Sequence, residues 1–172
     1  MEMNYENEIK KIIDFHFPRF SELPKVPLYK DQVIIYIESK LMDIKIYEDE
    51  NLLTPTMLNN YVKQKVIAAP IDKKYDEQQL AYLIIVCILK QVFSLKEVSE
   101  LIKIQMKSYP IEPAYDYFCI EFESALKVVF SSRDYNYPSK ALTKSFESEI
   151  VRSAIMAFVN KIFIQRYLVK EF

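Results

Sequence analysis

The chain has 172 residues, 51% hydrophobic and 14% aromatic, a composition that builds a packed core and excludes a disordered polymer. Formal net charge is −1, so the chain as a whole is not a basic nucleic-acid glue; its positive excess sits in residues 54–110, eight basic against five acidic. Glycine is absent, which excludes phosphate-cradling loops, dinucleotide fingerprints and GxSxG nucleophile turns, and suits an all-helical fold that avoids hairpins and positive-φ turns.

In chain order, Asn7 to Phe17 reads as a short amphipathic helix with Ile9, Ile12, Ile13 and His16 on or near one face. His16, beside Phe15 and Phe17, is expected to be packed. Pro18, Pro24 and Pro27 mark a connector, since closely spaced prolines disfavour helix. A second helix starts at Lys30 or Asp31. Its buried stripe is Val33, Ile34, Ile37, Leu41 and Ile44, and the acidic run Tyr47 to Asn51 ends it.

Thr54 is a good N-cap and Pro55 suits the first helical position, where a missing N–H costs nothing. The helix they open is expected to run to about Val66. Leu58, Tyr61, Val62 and the stem of Lys65 share one face; Thr56, Asn59, Asn60 and Lys63 share the other, which holds no carboxylate. A connector over 68–74 follows, with Pro70 and the pair Lys73–Lys74. Asp76 and Gln79 form a capping box, opening a helix to about Val92 that is apolar nearly all round. Ser94 and Glu97 form a second box, opening a helix to about Met106. Beyond the boundary at Tyr109–Pro113, helices are expected over Ala114–Phe130 and Leu142–Val169, the latter apolar on more than one face.

Cys87 and Cys119 are the only cysteines and His16 the only histidine. No pair has ligand spacing, so no metal or other cofactor is expected, and both thiols read as small core groups. No carboxylate pair or nucleophile–base pair stands out, and an enzyme is not expected. The N-terminus lacks a secretory h-region, and the most apolar run, Leu83–Leu89, is too short for a bilayer. A cytoplasmic protein without membrane association is expected.

Thr54–Pro55, Tyr61, Val66–Ile67, Pro70, Tyr75, Leu80, Leu83 and then Phe93–Ser94–Leu95 with Glu97 together resemble the N-terminal half of MerR-type regulators. The run LPKVPLY…LTPTMLNNYVKQKVI is similar to an uncharacterised bacterial family known as a domain of unknown function and grouped with MerR-like helix-turn-helix domains. The resemblance implies a mainly α fold: an N-terminal helix and connector over 1–27, a MerR-like winged helix-turn-helix over 28–108, and a C-terminal helical region over 109–172 serving dimerisation.

It further implies a transcription regulator that binds double-stranded DNA sequence-specifically, with a recognition helix at about 55–66 and a wing at about 68–75. Asn59 and Asn60 would read bases, Thr56 a thymine methyl or phosphate, and Lys63, Lys65, Lys73 and Lys74 phosphates, with Tyr75 packing the wing. The relatives carry glycine where this chain has Lys65, so the helix is expected to stop differently here. A homodimer through the C-terminal helices is expected, as paired half-sites require. The alternative is a non-catalytic protein-interaction module on the same scaffold, its C-terminal helices binding a partner or ligand. Tyr109, Tyr115 and Tyr117 could line an effector pocket in either scheme, with aromatic packing the plainer reading.

Overall fold

The structure, a computed structural model, describes residues 2–47 and 49–171, with side chains over 6–47 and 49–168. The fold is mainly helical. Its elements run α1 (Glu2–Ile13), β1 (Leu28–Tyr29), α2 (Lys30–Leu41), α3 (Pro55–Lys63), β2 (Lys74–Tyr75), α4 (Glu77–Leu89), α5 (Leu95–Ser108), α6 (Ile111–Lys127) and α7 (Phe146–Glu171), with short 3-10 turns at Phe20–Glu22 and Met42–Ile44.

Helices α3, α4 and α5 begin where local chemistry offers an acceptor for an orphan N–H. Thr54 Oγ1 accepts from Met57 N at 3.2 Å. Asp76 and Gln79 exchange bonds of 2.9 and 2.8 Å, and Ser94 and Glu97 bonds of 3.3 and 2.8 Å. Gln79 has a second task. Its amide donates to the carbonyls of Ala68 and Ala69, both at 3.0 Å, tying the link after α3 to the start of α4.

Helix α4 is buried on all sides, with ten buried residues in thirteen, and packs against α5, α6 and α7. This is the expected role for a helix apolar all round. One contiguous core joins Ile12, Phe17, Val33, Leu58, Leu83, Phe122 and Phe158, so all three predicted segments share it.

Four expectations are corrected. The chain does form a hairpin: Ile71 and Lys74 exchange backbone bonds of 3.0 and 2.9 Å around Asp72 and Lys73. Both turn residues have positive φ, 48° and 65°, the signature of a two-residue turn usually given to Asn-Gly. Strand β2 also pairs antiparallel with β1, Leu28 opposite Tyr75 and Tyr29 opposite Lys74.

Lys65 takes the left-handed conformation itself, φ 58°. Its N–H donates to the Val62 carbonyl at 3.0 Å and that of Val66 to the Tyr61 carbonyl at 2.9 Å, closing α3 in a Schellman motif. The helix therefore stops as a glycine-ended helix would, three residues before the expected Val66.

The N-terminal helix ends at Ile13 rather than Phe17. Phe15 and Phe17 are buried, but His16 is exposed, its imidazole 3.2 Å from Glu123 and 3.8 Å from Glu22. Finally, α4 stops at Leu89 and α7 starts at Phe146, and α6 covers Ile111–Lys127 before a π-turn over Val128–Ser132 closed by Arg133 at φ 54°.

Candidate nucleic-acid interface

Helix α3 turns Leu58 and Tyr61 into the core. A strict 3.6-residue period then forces Thr56, Asn59, Asn60 and Lys63 outward, and all four are exposed. Lys65, at the helix stop, and Lys73, at the hairpin tip, are exposed as well. These six side chains occupy one helix and the two bends that follow it. Among the described residues, none of the lysines at 63, 65 and 73 has a carboxylate within ion-pair distance. Asp72, exposed beside Lys73, is the acid nearest in sequence.

Two predicted members behave differently. Lys74 is half-buried, its ammonium 4.9 Å from the centre of the Tyr29 ring across the β1–β2 pair. Tyr75 points to the opposite side of the sheet and is 4% exposed, with its hydroxyl pushed above the ordinary tyrosine range by burial. Tyr75 is a core residue, out of reach of any macromolecule laid on this surface.

The amides are held from the side. Asn60 Oδ1 accepts from Gln64 Nε2 at 3.0 Å, one turn on. Asn59 Oδ1 faces the ammonium of Lys30, at 3.5 Å. A lysine can only donate, so this contact turns the Asn59 carbonyl toward α2 and its NH2 outward. Lys30 was missed in the sequence, where it served only to start a helix. Its signal was electrostatic: a lysine at the first position of a helix opposes the macrodipole, a choice that disfavours the helix by about 0.3–1 kcal/mol.

Behind α3, Tyr61 is 2% exposed and its hydroxyl is buried without a hydrogen-bond partner among the described residues. The Lys90 ammonium lies 5.8 Å from the centre of that ring and 3.9 Å from Met57 Sδ. It props the inner side of the helix.

Elsewhere, Tyr115 is fully buried and donates to the Pro18 carbonyl at 2.9 Å, whereas Tyr109 and Tyr117 line a cavity of about 180 Å³. The aromatic cluster expected at 109–117 thus divides between core and cavity. Among the described residues no group of three His, Cys, Asp or Glu side chains could hold a metal ion. No helix of the described residues is long and apolar enough to cross a membrane.

Residues 18–118 match a family described as "Domain of unknown function (DUF1836)". The match takes in more than half of the chain, from the proline connector to the middle of α6, and the protein belongs to this family. Comparison with curated proteins finds no match, and comparison with solved structures finds none either.

Proposed function

We propose that this protein is a transcription regulator that binds double-stranded DNA sequence-specifically, through a MerR-like winged helix-turn-helix formed by β1 to α5. The observation that carries this reading is the outward face of α3: Thr56, Asn59, Asn60 and Lys63 exposed together, with no carboxylate on that face. The element order supports it, since a strand, two helices, a hairpin paired to the first strand, and two further helices supply a recognition helix and a wing. The link between α2 and α3 is longer than a usual helix-turn-helix turn and contains its own 3-10 turn.

In this reading Asn59 and Asn60 meet base edges in the major groove, each contributing about 1–3 kcal/mol of discrimination. Thr56 touches a phosphate or thymine methyl. Lys63, Lys65 and Lys73 meet phosphates, and Lys74 steadies the wing against Tyr29. The protein works in the cytoplasm without a catalytic step, as a homodimer through α7, whose Ile164, Tyr167 and Leu168 lie exposed at helical spacing. That same apolar stripe is what favours the second reading, a protein-interaction module on the same scaffold.

Fluorescence anisotropy with pooled genomic duplexes at several salt concentrations tests the proposal. Asn59→Ala and Asn60→Ala are expected to relax sequence preference. Lys63→Ala, Lys65→Ala and Lys73→Ala are expected to weaken all sequences alike and flatten the salt slope. Absence of any duplex bound above non-specific affinity at low salt would replace it with the interaction-module reading.

A further inference from the structure

We infer that the cavity between α5, α6 and the loop before α7 is a binding site for a small neutral molecule with one planar aromatic ring system and one hydrogen-bonding group. The cavity measures about 180 Å³ and opens to solvent on the side where Tyr109, Pro113, Leu142 and Thr143 are exposed. Its lining divides as a ligand site should, into apolar walls and a few polar groups.

The walls are Pro113, Ala114, the Tyr117 ring, Ala141 and Leu142. Three other lining side chains, Gln105, Tyr109 and Thr143, carry polar groups that make no hydrogen bond among the described residues. They supply both donors and acceptors. No lining residue is charged, so an ionic ligand would lose hydration without a partner. The class is therefore a neutral ring of the indole or phenol kind.

The wall from 141 to 148 is built to accommodate an occupant. Lys140 N is fixed by Glu121 at 2.6 Å and Ser145 N by Ser148 Oγ at 3.0 Å. Between these anchors Leu142 and Thr143 make no hydrogen bond among the described residues, and Leu142 stands fully in water at 104% exposure. An apolar side chain in water at the mouth of an apolar cavity gains burial when a ring fills the space beneath it. The opposite wall belongs to the family-matched residues 18–118 and this one lies outside them, so an occupant bridges the two parts of the chain.

Indole is the probe. The chain has no tryptophan, so indole excited beyond the tyrosine absorption band reports binding without protein background, and two-dimensional amide NMR locates it. The expected result is a saturable blue shift, with amide shifts concentrated at 105–117 and 141–148. Leu142→Asp, at a position too exposed to affect folding, is expected to weaken binding at least tenfold, and Ala141→Phe to abolish it. Indole-5-carboxylate, the same ring system with a charge, is expected not to bind. The inference is overturned by no saturation into the millimolar range, by shifts lying elsewhere, by Leu142→Asp binding like the parent, or by indole-5-carboxylate binding as well as indole.

Discussion

Arg19 and Glu123 join the proline-rich connector to α6 through two parallel hydrogen bonds, of 2.8 and 2.7 Å, across 104 residues of sequence. The same carboxylate accepts from Phe17 N at 2.9 Å, and two turns nearer the helix start Asp116 accepts from Phe20 N at 2.8 Å. With the Tyr115 bond to Pro18, three side chains of α6 hold a segment that has no regular structure to satisfy its own backbone.

Removing that anchor has a predictable cost. Glu123→Ala leaves a guanidinium and a backbone N–H without their acceptor and is expected to lower stability by about 2–3 kcal/mol, as for hydrogen bonds to charged groups. Arg19→Ala is expected to cost less, because the Phe17 bond survives. Urea denaturation midpoints check both; equal losses would show that the Phe17 bond contributes nothing.

Lys65 offers the opposite direction. A side chain at φ 58° is opposed by Cβ crowding that glycine lacks. Lys65→Gly is expected to raise stability by about 0.5–1 kcal/mol, the relief of roughly 1–2 kcal/mol being partly offset by the entropy of a freer unfolded chain. Lys65→Val is expected to lower it, since a β-branched residue is least tolerant of that conformation. Paired thermal melts of the two variants decide the matter by the sign of each shift.

The unpartnered Tyr61 hydroxyl predicts a substitution that costs little. Tyr61→Phe keeps the ring that fills the space between α3 and α4 and removes a polar atom buried without a partner. Stability is expected to hold or to rise by about 1 kcal/mol, the low end of the penalty for an unsatisfied buried group. A loss above that size would reveal a partner for the oxygen. The ring itself is indispensable: Tyr61→Ala is expected to lose about 3–5 kcal/mol.

Alkaline pH should weaken the fold. Burial pushes the Cys87 thiol from 9.0 up to about 12 and the Tyr137 hydroxyl from 10.0 up to about 12. Above pH 9 the unfolded chain releases protons that the folded chain retains, so their contribution is intact below that pH and fades as pH rises toward 12. Urea midpoints at pH 8 and pH 10 are expected to fall, and Cys87→Ala to reduce the drop. Ellman's reagent at pH 8 is expected to leave both thiols unmodified in the native protein, as both are buried.

The features legible in the sequence were the short-range ones. Thr54, Asp76 with Gln79, and Ser94 with Glu97 named three helix starts because a cap acts within four residues. The apolar run through α4 announced its burial for the same reason. The wing placed at about 68–75 rested on the resemblance; from the residues alone a hairpin was not legible there, since Asp72 and Lys73 lack the glycine that normally marks such a turn. The end of α1 was misplaced because Phe15 and Phe17 continue an apolar pattern past the helix, where Phe17 packs against Phe118 and Phe122 of α6 and its N–H is held by Glu123. On α3 the outward face was readable from period alone. Tyr75, expected to pack the wing, is buried, although a two-residue strand gives no alternation from which to choose its side. Lys30 was missed because its neighbour Asn59 is 29 residues away.

The left-handed residues have one more consequence, for hydrogen exchange. Lys65, Asp72 and Lys73 concentrate backbone crowding just after α3 and at the hairpin tip, while buried α4 begins immediately beyond. Local opening should therefore start at the amides of Val66 and Lys74, well before the amides of Leu83 to Ile88 exchange. The Asn-bearing helix is thus moored firmly through Leu58 and Tyr61 but ends on yielding joints. Exchange at Val66 and Lys74 as slow as at Leu83 would show instead that these bends are as rigid as the core.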